Sequence, residues 1–345
     1  MTTSAIGDVE RTGRPDGSAA GPYGKNGRGV RFRPPLAACL AVLVWAVAAA
    51  LTLLLPDRQD VPYTSALGVV AALVAGTVLV LALVAPRFAR VAERVRHWGP
   101  WLAASGYWFV FWEVSTAKTD RLSVPYFTSP QGLWEAMWND HELLVSSFLN
   151  SLRLLVTGFT LGAVAGVLTG ISMAWWRRTD YWVHPILMSL GPVPATAWLP
   201  LILVIFPSTY SGSVFMMTIA VWFPVTVLTR SGIAGVGRAY YDVAQTLGAG
   251  SGYLVWRVAV PAALPQIFVG LFMGLGSSFI TLVVAEMLGV KDGLGWYIQW
   301  TKGWAAYPRM YGAIVLMIVL CAGAMTVLFK LRSRALRWQK DLVRW

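Results

Sequence analysis

Histidine, cysteine and clustered acids are the usual means by which a chain binds metal or makes and breaks bonds, and in this sequence they are few and scattered. The three histidines, His97, His141 and His184, stand in three different inter-helix regions and show no metal-ligand spacing. Cys39 and Cys321 lie in apolar runs near opposite ends of the chain and read as small apolar core residues rather than a disulfide. No G-x-x-x-x-G-K-[ST] phosphate loop occurs, since Gly24-Lys25-Asn26 lacks both the spacing and the hydroxyl. No catalytic, metal or cofactor site is expected in this chain. Two residues stand out for another reason: Arg153 and Glu286 are charged and sit inside long apolar runs. A lone charge in hydrocarbon costs at least ~2.5 kcal/mol at the centre, so each must face protein, a partner or a water-filled path.

Composition explains why such residues are conspicuous. The chain has 345 residues, 57% of them apolar and 13% charged, with a mean hydropathy of +0.59. That is the profile of an integral membrane protein with several spans. The net charge of +12 would suggest nucleic acid in a soluble protein. Here most of the 28 lysines and arginines fall in segments that the pattern below assigns to the cytoplasm, as the positive-inside rule requires, and no nucleic-acid partner is expected.

Residues 1–35 are rich in Gly, Pro, Arg and Ser without apolar periodicity and predict a disordered cytoplasmic tail. The run 36–55 is long enough to span as an uncleaved anchor, and 63–85 returns. Arg87, Arg90, Arg94 and Arg96 then hold a loop inside, and the short aromatic run 101–114 leads out to an external segment, 115–144. The next helix, 146–173, carries Gly158, Gly162, Gly166 and Gly170 at a strict spacing of four, a flat stripe that lets another helix approach closely. Pro192, Pro194 and Pro200 interrupt the run 183–206, so that span is expected to be kinked or broken and to line a pathway. Spans at 213–229, 262–288 and 310–329 follow, the second with Gly270 and Gly274, and an aromatic external loop lies at 290–309. Basic residues from Lys330 to Arg344 keep the end inside. The prediction is an all-α polytopic membrane protein with eight spans and both termini cytoplasmic.

Between two of these spans the stretch 238–265, RAYYDVAQTLGAGSGYLVWRVAVPAALP, is a polar interruption that must lie outside the bilayer. It predicts two short helices, 238–247 and 253–260, around a turn supplied by Gly248, Gly250 and Gly252, with Pro261 and Pro265 at the start of the next span. The segment resembles the EAA loop of the membrane subunits of bacterial ABC importers. Asp242, Val243 and Ala244 stand at its three opening positions, Gly248 is its glycine, and Leu264-Pro265 closes it. Asp for Glu and Val for Ala are the departures.

From about Trp98 onward the order of elements resembles the branch of these permeases associated with nitrate, sulfonate, taurine and bicarbonate uptake. The runs that carry this are SPQGLWEAM, SLRLLVTGFTLGAVAGVLTG, PVPATAWLPLILVIF and LVVAEMLGVKDGLGWYI. Phe206-Pro207 stands where that branch usually has Phe-Gly, and two spans precede the six-helix core. The resemblance implies a permease subunit, residues 91–345, preceded by a two-helix unit, 36–90. It implies a coupling helix for cytoplasmic ABC ATPase subunits, with Asp242, Val243, Ala244, Leu247, Gly248, Leu264 and Pro265 at the contact. ATP hydrolysis belongs to those subunits. It further implies an extracytoplasmic solute-binding protein, pairing of two permease copies, and residence in the bacterial inner membrane. A secondary transporter or channel is the other reading, and would be expected to carry more intramembrane charge than Arg153 and Glu286. Those two residues fall at similar depths near the outer surface, and an ion pair between them is expected, the other readings being that either reaches the surface independently or that Arg153 stays free and attracts an anionic substrate. The unit before Val91 lacks a core motif and joins through an exposed basic loop, so it is expected to be dispensable for assembly.

Overall fold

The computed structural model describes residues 36–58, 62–119, 121–122, 125–191 and 193–339, so the tail 1–35 and Pro192 lie outside the described residues. Every regular element among them is helical. The N-terminal elements are α1 (Leu36–Leu54), α2 (Thr64–Val84) and α3 (Ala89–Glu113). After them come α4 (Pro130–Asn139), α5 (His141–Trp175), α6 (Arg177–Leu190), α7 (Leu199–Ile205) and α8 (Thr209–Ala234). The last are α9 (Arg238–Thr246), α10 (Ser251–Tyr253), α11 (Val260–Leu288), α12 (Leu294–Gly303) and α13 (Tyr307–Ala335).

Among the described residues, six helices are long and apolar enough to cross a membrane: α1, α2, α5, α8, the continuous helix Ser251–Leu288, and α13. The proline-rich run is not one kinked helix. α6 ends at Leu190, Pro194 precedes a short 3-10 turn over Ala195–Trp198, and Pro200 sits in the first turn of α7, where its missing N–H costs nothing. The two halves are bent by 86°, and taken together they would make a seventh, broken span. α3 is not among the six: its first turns carry Arg90, Glu93, Arg94 and Arg96, and the run after them is aromatic and rich in Gly, Ser and Pro rather than aliphatic.

α8 is the centre of the fold, with α5 on one side and α11 on the other. Its residues Met217, Val221, Val225 and Thr229, all fully buried, recur every four positions and ride along the glycine stripe of α5. A Cβ at Gly158 would come within 2.7 Å of the Met217 sulfur, and one at Gly162 within 2.6 Å of the Thr218 carbonyl oxygen. At Gly166 and Gly170 it would meet the Val225 and Thr229 Cβ atoms at 2.8 and 2.6 Å. On the opposite side, Gly270 and Gly274 of α11 lie against Val225 and Val221 at 3.2 and 3.1 Å, and Gly232 of α8 lies against Gln266 at 2.8 Å. Between surfaces as apolar as lipid itself, close approach of this kind is what holds helices together.

The helix that enters α11 starts earlier than the prolines suggest. Ser251–Leu288 runs without a break, through a π-helical stretch over Leu254–Ala259. Pro261 has no N–H to return to the carbonyl four residues back, and the wider π turn lies directly before it. The second short helix expected at 253–260 is therefore the start of the span.

α1 and α2 are not loosely appended. Glu113, at the end of α3 and fully buried, accepts hydrogen bonds from Thr52 Oγ1 of α1 (2.7 Å) and from Gln131 Nε2 of α4 (3.1 Å). Lys118, also buried, donates to the carbonyls of Leu55 (2.6 Å) and Thr52 (3.3 Å) and pairs with Asp57 at 2.7 Å. This polar staple joins the ends of α1 and α3 to α4, and α4 in turn packs on α13, where Gly312 lies against Met137. The Arg-rich loop is thus not the only connection, which corrects the expectation that the unit joins the core through that loop alone. Cys39 is exposed and Cys321 half-buried, both as free thiols, so Cys39 is no core residue.

Two outcomes follow from this packing. Gly162→Ala drives a methyl group into a backbone carbonyl that cannot rotate aside, and thermal unfolding of the purified protein should show a loss of about 1–3 kcal/mol. Gly76→Ala on α2, where a Cβ has nothing within 4 Å, should be neutral or stabilising in the same measurement. Truncation to a chain starting at Val91 removes Thr52, the Leu55 carbonyl and Asp57, stranding Glu113 and Lys118. Folded yield by size-exclusion chromatography should collapse, and Glu113→Gln with Lys118→Met in the truncated chain should restore part of it.

Candidate functional site

Three places in the fold collect the residues singled out by the sequence. The first is α9 with the turn that follows it. α9 ends in a left-handed cap: Gly248 has φ +85°, its N–H reaches the Gln245 carbonyl (2.9 Å), and the Ala249 N–H reaches the Ala244 carbonyl (3.0 Å). Nothing lies within 4 Å of a Cβ built on Gly248, so glycine is needed there for the backbone alone. The cap folds α9 back beside the start of the Ser251–Leu288 helix and leaves a 930 Å³ cleft between them, lined by Tyr240, Val243, Leu247, Gly248, Tyr253 and Arg257 among others. Tyr240, Val243, Leu247, Tyr253 and Trp256 are all more than half exposed, Leu247 at 83%. Exposed apolar patches of this kind are surfaces that proteins, membranes or ligands cover.

Its base is fixed to the bundle. Tyr241 is half-buried with its ring 6.3 Å from that of Trp175 at the end of α5, and burial pushes its phenol pKa up. Arg230 of α8 makes a two-pronged bond to Asp180 of α6, at 2.6 and 2.9 Å. Asp242 and Val243 are exposed on the patch and Ala244 is half-buried. Leu264 and Pro265 are not on it. They lie inside α11, where Leu264 packs on a buried cluster that includes Ile171, Ile233 and Ile267.

The second place is the opposite end of the bundle. Glu286, 1% exposed, accepts a hydrogen bond from the Gly295 N–H at 2.8 Å, and Ser151 Oγ accepts one from the Leu294 N–H at 2.8 Å. The first two N–H groups of α12, which have no partner within their own helix, are thus satisfied by side chains of α11 and α5. Gly293, with φ +106°, and Gly295 are pressed against Glu286, so neither position has room for a side chain. Close by, the fully buried Tyr297 donates to Asp140 Oδ2 at 2.5 Å, and Arg309 Nε lies 3.3 Å from the same oxygen. Burial and the Asp140 carboxylate push the Tyr297 phenol pKa up.

Arg153 is the third. It is exposed on α5, its guanidinium 5.3 Å from the ring centroid of Tyr210, whose hydroxyl lies 3.2 Å from Thr157 Oγ1. No ion pair links it to Glu286 or to any other carboxylate among the described residues. The expected Arg153–Glu286 pair is therefore corrected: Glu286 caps a helix and Arg153 faces outward over a tyrosine ring. Sequence reasoning gave Glu286 the wrong partner and missed Ser151, Asp140, Glu113 and Lys118. The available signal was the Gly-Leu-Gly run seven residues after Glu286, which marks a backbone that has to pass close to something.

Glu286→Gln keeps an acceptor for the Gly295 N–H and should leave folding nearly intact, whereas Glu286→Ala leaves that N–H buried and unpaired, at a cost of about 1–3 kcal/mol. The two are compared by thermal unfolding. The exchange Arg153→Glu with Glu286→Arg should recover nothing over the single variants, since the two side chains do not meet.

The family model for the binding-protein-dependent transport system inner membrane component matches residues 158–337. A probable ABC transporter permease protein of Brucella abortus is 30% identical over 197 residues, covering 57% of this chain and 79% of that protein. The putative aliphatic sulfonates transport permease protein SsuC of Bacillus subtilis is 31% identical over 186 residues, or 53% of this chain and 67% of the relative. The bicarbonate transport system permease protein CmpB of Synechococcus elongatus is 29% identical over 197 residues, or 56% and 66%. The match takes in all four glycine-stripe positions of α5, all of α8, the exposed patch on α9 and the helix capped by Glu286. With spans enough to be a multi-pass protein of the inner membrane, the chain belongs to the binding-protein-dependent transport system inner membrane component family and is a permease of the ABC importer type.

Proposed function

We propose that this permease forms, with a second copy of itself, the translocation pathway for a small anionic solute of the sulfonate, nitrate, taurine or bicarbonate class. An extracytoplasmic solute-binding protein delivers the solute, and two cytoplasmic ABC ATPase subunits drive its passage. The observation that carries the reading is the exposed patch of Tyr240, Val243, Leu247 and Tyr253 around the Gly248 cap, which offers a partner an apolar cleft outside the bilayer. The chain itself supplies no catalytic or cofactor site in this reading. The relatives named for sulfonates and bicarbonate suggest the solute class.

The arrangement in the membrane is an eight-span one with both ends cytoplasmic. α1 and α2 form the two-helix unit that precedes the core. The permease unit, from residue 91 onward, opens with α3, which crosses despite its basic first turns, and has α6 and α7 as two halves of a broken span. Pro194 and Pro200 open the backbone at that break, and Arg153 with Tyr210 faces the pathway between the two copies. An exposed cation without a carboxylate partner has to be covered by water, solute or a second chain.

Gly248→Val puts a β-branched residue at positive φ, which costs on the order of 1 kcal/mol or more and unseats α9. The variant should insert normally and fail to capture the ATPase on affinity resin, while Gly248→Asn, which tolerates this conformation, should still capture it. Equal capture by Gly248→Val would remove the docking role. For the solute, uptake of labelled ethanesulfonate and of bicarbonate is compared in cells with and without the gene, and Arg153→Gln should lower uptake while leaving ATPase capture unchanged.

A further inference from the structure

At the end of the N-terminal bundle from which the arginine-rich loop emerges, a cleft of 380 Å³ opens between α1, α2 and α3. Ala38 of α1, Val78 and Leu81 of α2, and Val95, Trp98 and Leu102 of α3 form its walls, and Arg94 is the one charged side chain that lines it. The floor is closed where Gly99 lies against the backbone of α1, with a Cβ only 3.4 Å from Ala38 N. Trp98 stands at the mouth, 57% exposed, as an indole does at a membrane interface. Arg94 is exposed and, like Arg87, Arg90 and Arg96 beside it, makes no ion pair among the described residues. The polar staple grips this bundle at its other end only, so the cleft has no side chain of the core to fill it.

Hydrocarbon walls call for an acyl chain, and an unpaired guanidinium at the rim calls for an anion on the same molecule. A zwitterionic lipid also brings a phosphate, but its ammonium cancels that charge, so only an anionic headgroup offers the arginines a net negative charge. We propose that this cleft is a binding site for one anionic phospholipid of the inner leaflet, with its acyl chain between α2 and α3 and its phosphate on Arg94. The leaflet rests on the orientation proposed above; the site itself does not. Clusters of arginine on the cytoplasmic side of membrane helices bind such headgroups by the same physics.

The test uses the full-length protein in detergent, equilibrated with equal amounts of phosphatidylglycerol and phosphatidylcholine, with the retained lipid counted by native mass spectrometry. Wild type should retain phosphatidylglycerol in preference. Arg94→Gln should lower that preference about fivefold, the effect of one arginine near a charged headgroup, and Arg94→Lys should keep it. Val78→Trp fills the cleft and should reduce retention of both lipids, while Arg58→Gln, remote from the cleft, should match wild type. All variants are compared at equal folded yield by size-exclusion chromatography, so a misfolded chain is not read as a lost site. Equal retention of the two lipids by wild type, or an unchanged preference in Arg94→Gln, would overturn the proposal. So would displacement of the lipid by excess glycerol phosphate, since that places the whole interaction on the phosphate. Orientation is checked separately by labelling Arg90→Cys from either side of sealed vesicles; an external label would move the site to the other leaflet and leave the lipid measurement standing.

Discussion

Two α-helices can lie against each other along their full length only if one of them has no side chains in the way. In this protein that condition is met by the spacing-of-four glycines of α5, over which Met217, Val221, Val225 and Thr229 of α8 pass with no room for a single methyl group. Several other elements are held by α8. α11 packs on its far side through Gly270 and Gly274, α7 rests on its outer end near Gly212, and Arg230 at its inner end holds α6. Apolar surface supplies no net drive between helices already in lipid, so the contact has to come from packing density, and density of this order requires glycine.

The two ends of the bundle are finished in different ways. At the end that carries α12, buried polar groups are matched closely: Glu286 and Ser151 cap α12, Asp140 holds Tyr297 and Arg309, and Glu113 and Lys118 tie α1 and α3 to α4. Each of these groups would be expensive alone and is bonded to something from another element. The result is a rim in which α4, α5, α12 and α13 are cross-linked without any disulfide. At the end that carries α9 the opposite holds. The α9 patch is apolar and uncovered, and the cleft beside Arg94 is empty of side chains. The bundle thus has one end braced by bonded polar groups and another that leaves apolar surface uncovered.

Much of this was legible in the residue pattern because the relevant forces act locally. The stripe Gly158, Gly162, Gly166 and Gly170 announces a helix face, since spacing along a helix determines which residues align. Asp242 through Gly248 announces an amphipathic turn of helix with a glycine stop. Pro194 and Pro200 announce a break, although not its angle. The span at 101–114 was harder to judge: α3 carries its basic turns within the same helix as its aromatic ones, and no local signal separates the two.

By itself the sequence determined the all-helical class, the membrane setting, most of the long helices and the positions where chains must approach closely or reverse, because hydropathy, proline and glycine act over a few residues. Partner choice for polar groups was decided only in three dimensions. Arg153 and Glu286 look like a pair when all that is known is their depth, but rotation about each helix axis turns one toward Tyr210 and the other toward the N-terminus of α12. Thr52 and Glu113, 61 residues apart, meet because α1 and α3 pack side by side, and no spacing rule spans such a distance. The same holds for Leu264 and Pro265, which the motif places with the docking surface and the continuous helix Ser251–Leu288 carries into the core. Depth along a helix is a one-dimensional quantity that the chain encodes directly; direction around it is set by what each neighbour leaves room for.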